Sequence, residues 1–325
     1  MDSNPEQKQQ SFGKYILINE LKDKFSNAFD DEIRQLVSSI QYLEGIHFSL
    51  VYFPLKHLGY KAVINSVADL YCRNIEPEAL SVNLGLSSRF TRIDIEALLE
   101  GLVIACERYG LKISSLDINS SLTGMSLNVA AYGSKTEKPE SSVEQTDLLC
   151  VTGDLGAAFM GLQLLERERK VFEETQGAQP KLEGFEYVIG RQLRPDLKIK
   201  VFELLKENNI IPGMIRTIRD GLASEAIHIA SDSGLGCRIY HNKLPIDTET
   251  GDAGKELNIE PIIAALNGGD DFEFVFTVPV AEFDRVSKVD GVSVVGHMTG
   301  AGEGYSLSLQ DGSLAELKAQ GWSVE

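Results

Sequence analysis

Residues 148–172, LLCVTGDLGAAFMGLQLLERERKVF, read as a strand, a glycine turn and a helix in succession. The apolar LLCV runs into a turn with glycines at 153 and 156, and the apolar residues beyond it recur at helical spacing. That is a βα unit. Toward the C-terminus, residues 197–209 (LKIKVFELLKENN) and 219–236 (RDGLASEAIHIASDSGLG) predict helices, the second ending on Gly234 or Gly236 as C-cap. Residues 262–279 (IIAALNGGDDFEFVFTVP) run helix, Gly-Gly turn, strand, and 281–289 and 291–299 predict a helix and a strand. Toward the N-terminus, residues 133–147 (GSKTEKPESSVEQTD) have the composition of a linker. Before it, strands are expected at 81–87, 112–119 and 123–133, and helices over 12–29, 58–72 and 91–109, the last with Thr91 or Asp94 near its start. Residues 33–40 fit either an extension of the first helix or a short strand, and the polar residues 1–11 read as disordered.

Strands and helices alternate on both sides of the linker, so the class is α/β (α+β) with two domains, residues 1–135 and 136–325. A chain of 325 residues exceeds what one compact core usually holds. With 31 Lys+Arg against 48 Asp+Glu, the net charge of −17 argues against a nucleic-acid partner, which needs clustered cations. Phosphates handled by so acidic a chain must meet bound cations, helix N-termini or backbone N–H groups. Cys72, Cys106, Cys150 and Cys237 form no C-x-x-C pair and sit in or beside apolar stretches, as buried thiols of a reducing compartment do. No signal core and no 18-residue apolar run occur, so no membrane partner is expected and a cytoplasmic location is.

VTGDLG (151–156) can present N–H groups, Gly153 among them, to an anion at a helix start, though a plain tight turn explains it as well. It is neither a P-loop nor a dinucleotide fingerprint. The reading expects these N–H groups to face the interdomain cleft, with Asp154 exposed at its mouth. In GGDDFEF (268–274), alternation sends Asp271 and Glu273 to one face and Phe272 and Phe274 to the other, and the plain reading is a solvated turn. Asp220 precedes a helix and suits an N-cap, with Glu225 nearby. His47, in EGIHF, suits packing or ligand binding. Asp69, inside the apolar SVADLYC, needs a partner or a metal, and Asp117 in KISSLDIN raises the same question. Trp322, the only tryptophan, is expected to pack over something near the C-terminus.

Taken in order, EGIHF, HLGYKAVINSVADLY, SLTGMSLNVAAYG, DLLCVTGDLGAAFMGLQLL, DGLASEAIHIASDSGLGCRIY, LPID, ALNGGDDFEFVFTVP and AQGW resemble the thiamine-monophosphate kinase family, of the aminoimidazole-ribonucleotide-synthetase-like superfamily. The resemblance implies transfer of the γ-phosphoryl of ATP to thiamine phosphate, with Mg²⁺ ions clustered by aspartates. It implies a homodimer whose N-terminal domains, each a mixed sheet with helices, build a shared β-barrel, and a C-terminal α/β sandwich. By the same resemblance Asp69, Asp117 and Asp220 would be metal ligands, and Asp117, Arg219 and Gly153 would face the nucleotide. His47, Asp270 and Trp322 would contact thiamine phosphate.

Several positions depart from the family's pattern. Its Gly-Asp-Asp loop is not found, Asp30-Asp31 following Phe29 instead of Gly. Its Thr-Asp before the histidine reads Ser39-Ile40, and its G-G-D-T-T reads Ser115-Leu116-Asp117-Ile118-Asn119. Its D-x-S-D-G reads Thr217-Ile218-Arg219-Asp220-Gly221, and an arginine that faces the nucleotide phosphates aligns with Glu140. Mg²⁺ demands near-octahedral oxygen ligands, so these losses dismantle the metal half of the site and leave a single weak Mg²⁺ at most. Three readings stay open: a kinase with a reduced metal set, a non-catalytic binding or regulatory paralogue, and a related ATP-dependent enzyme acting on another substrate.

Overall fold

The computed structural model describes residues 14–28, 36–136, 141–175 and 179–319. Asp30, Asp31, Glu140 and Trp322, and the expectations placed on them, lie outside the described residues. The first helix, α1, spans Lys14–Lys24. Then come β1 (Val37–Leu43), α2 (Leu55–Cys72), β2 (Ile75–Leu86), α3 (Arg92–Tyr109), β3 (Lys112–Ser120) and β4 (Met125–Lys135). The strands form one sheet in the order β1-β4-β2-β3, antiparallel except for the β2/β3 pair, which α3 connects. Of the segment 33–40, residues 37–40 lie in β1 and 33–35 are outside the described residues; β2 begins before the expected 81–87.

Thr91 caps α3: its N–H donates to Asp94 Oδ2 at 2.8 Å while Asp94 N–H donates back to Thr91 Oγ1 at 3.4 Å, a capping box. Helix α2 carries apolar residues on nearly every face, because it is covered from more than one side. Leu58, Val63, Ile64, Val67 and Leu70 are fully buried. The helix contacts β1, β2 and β4 on one side and β6 (Ile215–Thr217) of the second sheet on the other. It meets α3 through paired glycines: a Cβ on Gly101 would lie 1.8 Å from Lys56 O, and one on Gly59 would lie 2.2 Å from Leu98 O.

The second sheet follows residues 136–147 and has the order β11-β10-β7-β9-β5-β8-β6. Its remaining strands are β5 (Leu148–Thr152), β7 (Gly236–Tyr240), β8 (Phe274–Val278), β9 (Val292–Thr299), β10 (Tyr305–Ser308) and β11 (Leu314–Glu316). Only β7 and β10 pair in parallel, so this half is α+β in character. Its helices include α4 (Ala157–Glu174), α5 (Glu186–Leu193), α6 (Lys200–Glu207), α7 (Leu222–Asp232), α8 (Thr248–Leu257) and α9 (Pro261–Asn267). The βα unit at 148–172 and the helix-turn-strand at 262–279 stand where the sequence puts them. The short α5 was not anticipated, and the helix expected over 281–289 shrinks to Phe283–Val286.

One apolar core joins the halves: Leu58, Val63 and Leu102 belong to the same cluster as Phe272, Phe274 and Phe276. The four-stranded sheet is open, with β1 and β3 as its edges, so a single chain closes no barrel. Among the described residues no helix is long and apolar enough to cross a membrane. The cysteines are free thiols, three of them buried, and Cys72 is half-buried.

Candidate functional site

Three polar residues interrupt the apolar surface of α2 at one-turn intervals: Lys61, Asn65 and Asp69. Spacing of four places them along one face, and that face looks onto the turn between β6 and α7 and onto residues 268–273.

At one end, Lys61 is 2% exposed, and its ammonium spends three donors on three acceptors. They are Asp270 Oδ2 at 2.9 Å, Gln192 O at 2.9 Å and Gln192 Oε1 at 3.1 Å. The Phe53 and Phe272 rings lie 5.5 and 5.9 Å from the ammonium nitrogen. Asp270 remains half open to solvent and sits in a left-handed conformation (φ 59°), its N–H donating to Arg219 O at 2.8 Å. Beside it, Asn65 Nδ2 donates to the buried Tyr42 hydroxyl at 3.0 Å. Burial, then the Asp270 charge, pushes the Tyr42 pKa up, so the hydroxyl stays protonated. His47 lies edge-on to Tyr42 with ring centroids 5.9 Å apart. It is exposed, which removes the packing reading, and its Nδ1 accepts the Leu43 N–H at 3.0 Å. In the neutral ring, Nε2 then carries the proton and is left for other contacts. Gly45 (φ 79°) makes the turn, and Glu44 ties it down by accepting from Arg89 and from Met125 N–H.

At the other end, Arg219 lies across Asp69. Nη1 is 3.3 Å from Oδ2, Nη2 is 3.2 Å from Oδ1, and Nη2 also donates to Asn65 O at 3.1 Å. Arg73 approaches the same carboxylate at 3.8 Å. Thr217 Oγ1 and Cys72 Sγ share a hydrogen bond at 3.2 Å. Burial, then the Asp69 charge, pushes the Cys72 thiol up to about 12. These residues line a small cavity of about 210 Å³ that Arg216 also borders. Arg216 is held by Glu225 at 2.8 Å. Burial raises the Glu225 pKa although Arg216 opposes it.

The two ends meet through the Gly268–Glu273 segment, where a solvated turn was the plain expectation. Asp271 and Glu273 are instead buried, and Asp270 and Phe272 adopt positive φ, so no strand alternation exists before β8. Asp271 caps α4, accepting Gly156 N–H at 2.8 Å and Ala158 N–H at 3.2 Å. Burial pushes it up to about 7 against the pull of Arg191. Glu273 accepts from Thr152 Oγ1 at 2.5 Å and Arg191 Nη1 at 2.8 Å.

The glycine turn at 151–156 differs from the expectation for the same reason. Gly153 N–H donates to Gly291 O and Leu155 N–H to Pro245 O, both at 2.9 Å, while the N–H groups of Gly156 and Ala158 are taken by Asp271. The donors of the helix end are taken by a carboxyl group from within the chain. Asp154 is half-buried and accepts the Tyr187 hydroxyl at 2.5 Å. Asp220 does not cap α7; Gly221 (φ 91°) holds that position. Asp220 stands half-buried beside Arg219. Asp117 lies on the exposed edge strand β3, opposite Asn83 of β2, and accepts from Asn119 at 2.8 Å. Among the described residues no group of three or more His, Cys, Asp or Glu side chains is arranged to hold a metal ion. A carboxylate already spanned by a guanidinium, with a hydroxyl bonded to a thiol beside it, does not suit the oxygen shell of Mg²⁺.

Lys61, Gln192 and Tyr42 escaped the sequence reading. For Lys61 the signal available was its helical spacing from Asn65 and Asp69 on a largely apolar helix; Gln192 and Tyr42 lie on α5 and β1, where that signal does not reach.

Residues 25–134 match the family model described as AIR synthase related protein, N-terminal domain. The chain is 28% identical to the thiamine-monophosphate kinase of Bacillus subtilis over 256 residues, 78% of this chain and 74% of that protein. It is 29% identical to the thiamine-monophosphate kinase of Aquifex aeolicus over 264 residues, 78% of this chain and 81% of that one. The structure of AaThiL complexed with AMPPCP and TMP matches with a TM-score of 0.78 at 23% identity, covering 97% of this chain and 98% of that chain, a likeness of fold.

Proposed function

The chain belongs to the thiamine-monophosphate kinase family of the AIR synthase-like superfamily, and on that premise we propose that it binds thiamine phosphate in the cleft beside α2 while transferring phosphoryl groups from ATP weakly or not at all. The observation that carries the reading is the Arg219 fork across both oxygens of Asp69. Phosphoryl transfer between two anions relies on cations that bridge phosphate oxygens and order the attacking group. A guanidinium neutralises charge but cannot do both; Arg219 is already committed to Asp69 and Asn65, and Arg216 beside it to Glu225.

The substrate half supports binding. Asp270 is held by a buried lysine yet remains half open to solvent, and the exposed His47 uses its Nδ1 within the chain, leaving Nε2 for other contacts. Asp270 would accept from the donors of an aminopyrimidine, and His47 would donate to a phosphate oxygen. Trp322 would stack on a thiamine ring. Asp117, Asp220 and Gly153 keep their proposed places on the nucleotide side only if ATP still enters.

The same reading treats residues 1–135 and 136–325 as two domains and the molecule as a homodimer. Support for the dimer comes from β3, an edge strand whose Leu116 and Ile118 are 44% and 46% exposed, with Leu122 fully exposed just after it. A partner sheet laid on these residues would close the open N-terminal sheet into a barrel.

A coupled assay with ATP, Mg²⁺ and thiamine phosphate tests the reading together with calorimetry on thiamine phosphate alone. Binding with turnover below about 0.1 per second, the low end for ordinary enzymes, is expected. Faster turnover would establish a working kinase with arginine in place of metal. Absence of both heat and thermal shift would remove thiamine phosphate as the ligand.

A further inference from the structure

The geometry points to a second small-molecule site: we propose that the groove between α2, α3 and α5 binds a phosphate-bearing anion such as a pyrophosphate or a phosphate ester. The groove is a cavity of about 610 Å³, within the range of ligand pockets. It opens at the N-terminal end of α2, about 20 Å along the helix from Asp69, and none of His47, Asp69, Thr217, Arg219 or Asp270 lines it.

Its charge opposes that of the molecule. In a chain of net −17, the wall carries Lys56, Arg108, Arg191, Arg194 and Lys198 against Asp154, Glu186 and Asp196. Each of those carboxylates has its own partner: Tyr187 for Asp154, the Gly184 N–H for Glu186, and Arg108 with Tyr109 for Asp196. The side chains of Arg194 and Lys198 make no hydrogen bond or ion pair among the described residues. They are the donors left over for an anion. His57 reports the same field, since burial lowers its pKa and Arg194 and Lys56 lower it further.

Two further observations stand apart from charge. Arg191 is fixed by Glu273 and by Asp154 O, yet its Nε and the nearby Asp154 Oδ1 are buried and lack hydrogen-bond partners among the described residues. A buried donor without a partner on a cavity wall calls for an acceptor, and a phosphate oxygen is one. Gly190 lies inside α5, where glycine costs helix stability relative to alanine. Gly101 and Gly59 admit a close neighbour, but a Cβ on Gly190, as on Gly251 of α8, would meet nothing within 4 Å, and of these two only Gly190 lines the groove. The space it leaves bare belongs to the groove. Tyr60 and Tyr187 supply ring surface for whatever the phosphate is attached to.

Calorimetry on the full-length protein in EDTA, with pyrophosphate and separately with inorganic phosphate, tests the site without Mg²⁺, ATP or thiamine phosphate. Pyrophosphate is expected to bind with a sub-millimolar Kd, and Arg194→Ala with Lys198→Ala to weaken it about tenfold or more. Gly190→Leu should fill the groove and abolish binding. Because Arg194 and Lys198 are not buried, their double variant keeps the fold and decides the matter alone if Gly190→Leu does not fold. Thiamine phosphate binding should be the same in every variant, which separates this site from the cleft. No pyrophosphate binding up to about 10 mM, equal binding in the variants, or loss in Arg219→Ala instead would overturn the proposal.

Discussion

The two ends of the polar face of α2 are built to opposite specifications. At the Lys61 end, a buried cation of the helix is saturated by acceptors from the opposite wall, one of them an acid that still reaches solvent. At the Asp69 end, the acid belongs to the helix and the cation comes from the opposite wall, so the fork of Arg219 closes on itself. The first arrangement leaves a functional group free; the second consumes one. What separates them is where the charge on the facing loop sits: Asp270 carries a negative charge toward a lysine, Arg219 a positive charge toward an aspartate. A fold that tolerates either keeps its architecture while one half of its chemistry changes.

The comparison breaks most visibly in its response to pH. The Lys61 end rests on the segment containing Asp271, whose pKa rises from 3.8 to about 7 through burial. In the unfolded chain this acid ionises near its ordinary value, while the folded chain holds the proton to about 7. The stability it contributes is therefore complete below the unfolded pKa and is lost as pH climbs toward 7. Relative to Asp271→Asn, the wild type should lose on the order of 4 kcal/mol between pH 4 and 7, at about 1.4 kcal/mol per pKa unit. Urea titrations of both proteins at the two pH values measure this; a constant difference would show that Asp271 is ionised throughout.

Next in size is Lys61→Met, which fills much of the same volume but strands the Gln192 acceptors. About 3 kcal/mol of stability should be lost, near the lower end for breaking a buried ion pair because Asp270 is partly solvated. Arg219→Ala should cost about 1 kcal/mol or less, since both partners of that pair are partly exposed. Equal losses at the two ends would erase the distinction drawn above.

Activity sharpens it further. Thr217→Asp with Arg219→Ser restores the family's D-x-S-D-G and frees Asp69. Turnover in the coupled assay should rise at least about tenfold, equivalent to 1.4 kcal/mol of barrier. An unchanged rate would mean that the missing carboxylates elsewhere, and not the guanidinium, limit transfer. A similarly small effect is expected at His47→Ala, which removes one exposed hydrogen bond and should weaken thiamine phosphate binding roughly fivefold, by about 1 kcal/mol.

Much of the fold was legible because its signals are local. The capping box at Thr91 and Asp94, the glycine turn into α4 and the Gly-Gly turn after α9 are each specified within a few residues. β6, with three residues, and α5, with eight, are too short to impose a period, and they exist because the larger elements shelter them. The site was legible in its substitutions: Thr217 and Arg219 stand out against the family's pattern. Their consequences were not, because which carboxylate an arginine reaches is decided by residues 150 positions apart. Local reading likewise missed that Asp271 occupies the donors at the start of α4, since that partner lies 115 residues from Gly156.

The way α2 is enclosed has a bearing on how the molecule comes apart. Its apolar side chains are shared between the two sheets and locked to α3 by the Gly59 and Gly101 contacts, so neither sheet can detach without exposing the helix to water. Regional opening is thereby suppressed, and the halves are bound into one cooperative unit despite the linker between them. Backbone amides in the middle of α2 should exchange hydrogen for deuterium only as fast as the whole chain unfolds, and those of β10 and β11, at the far edge of the second sheet, well before them.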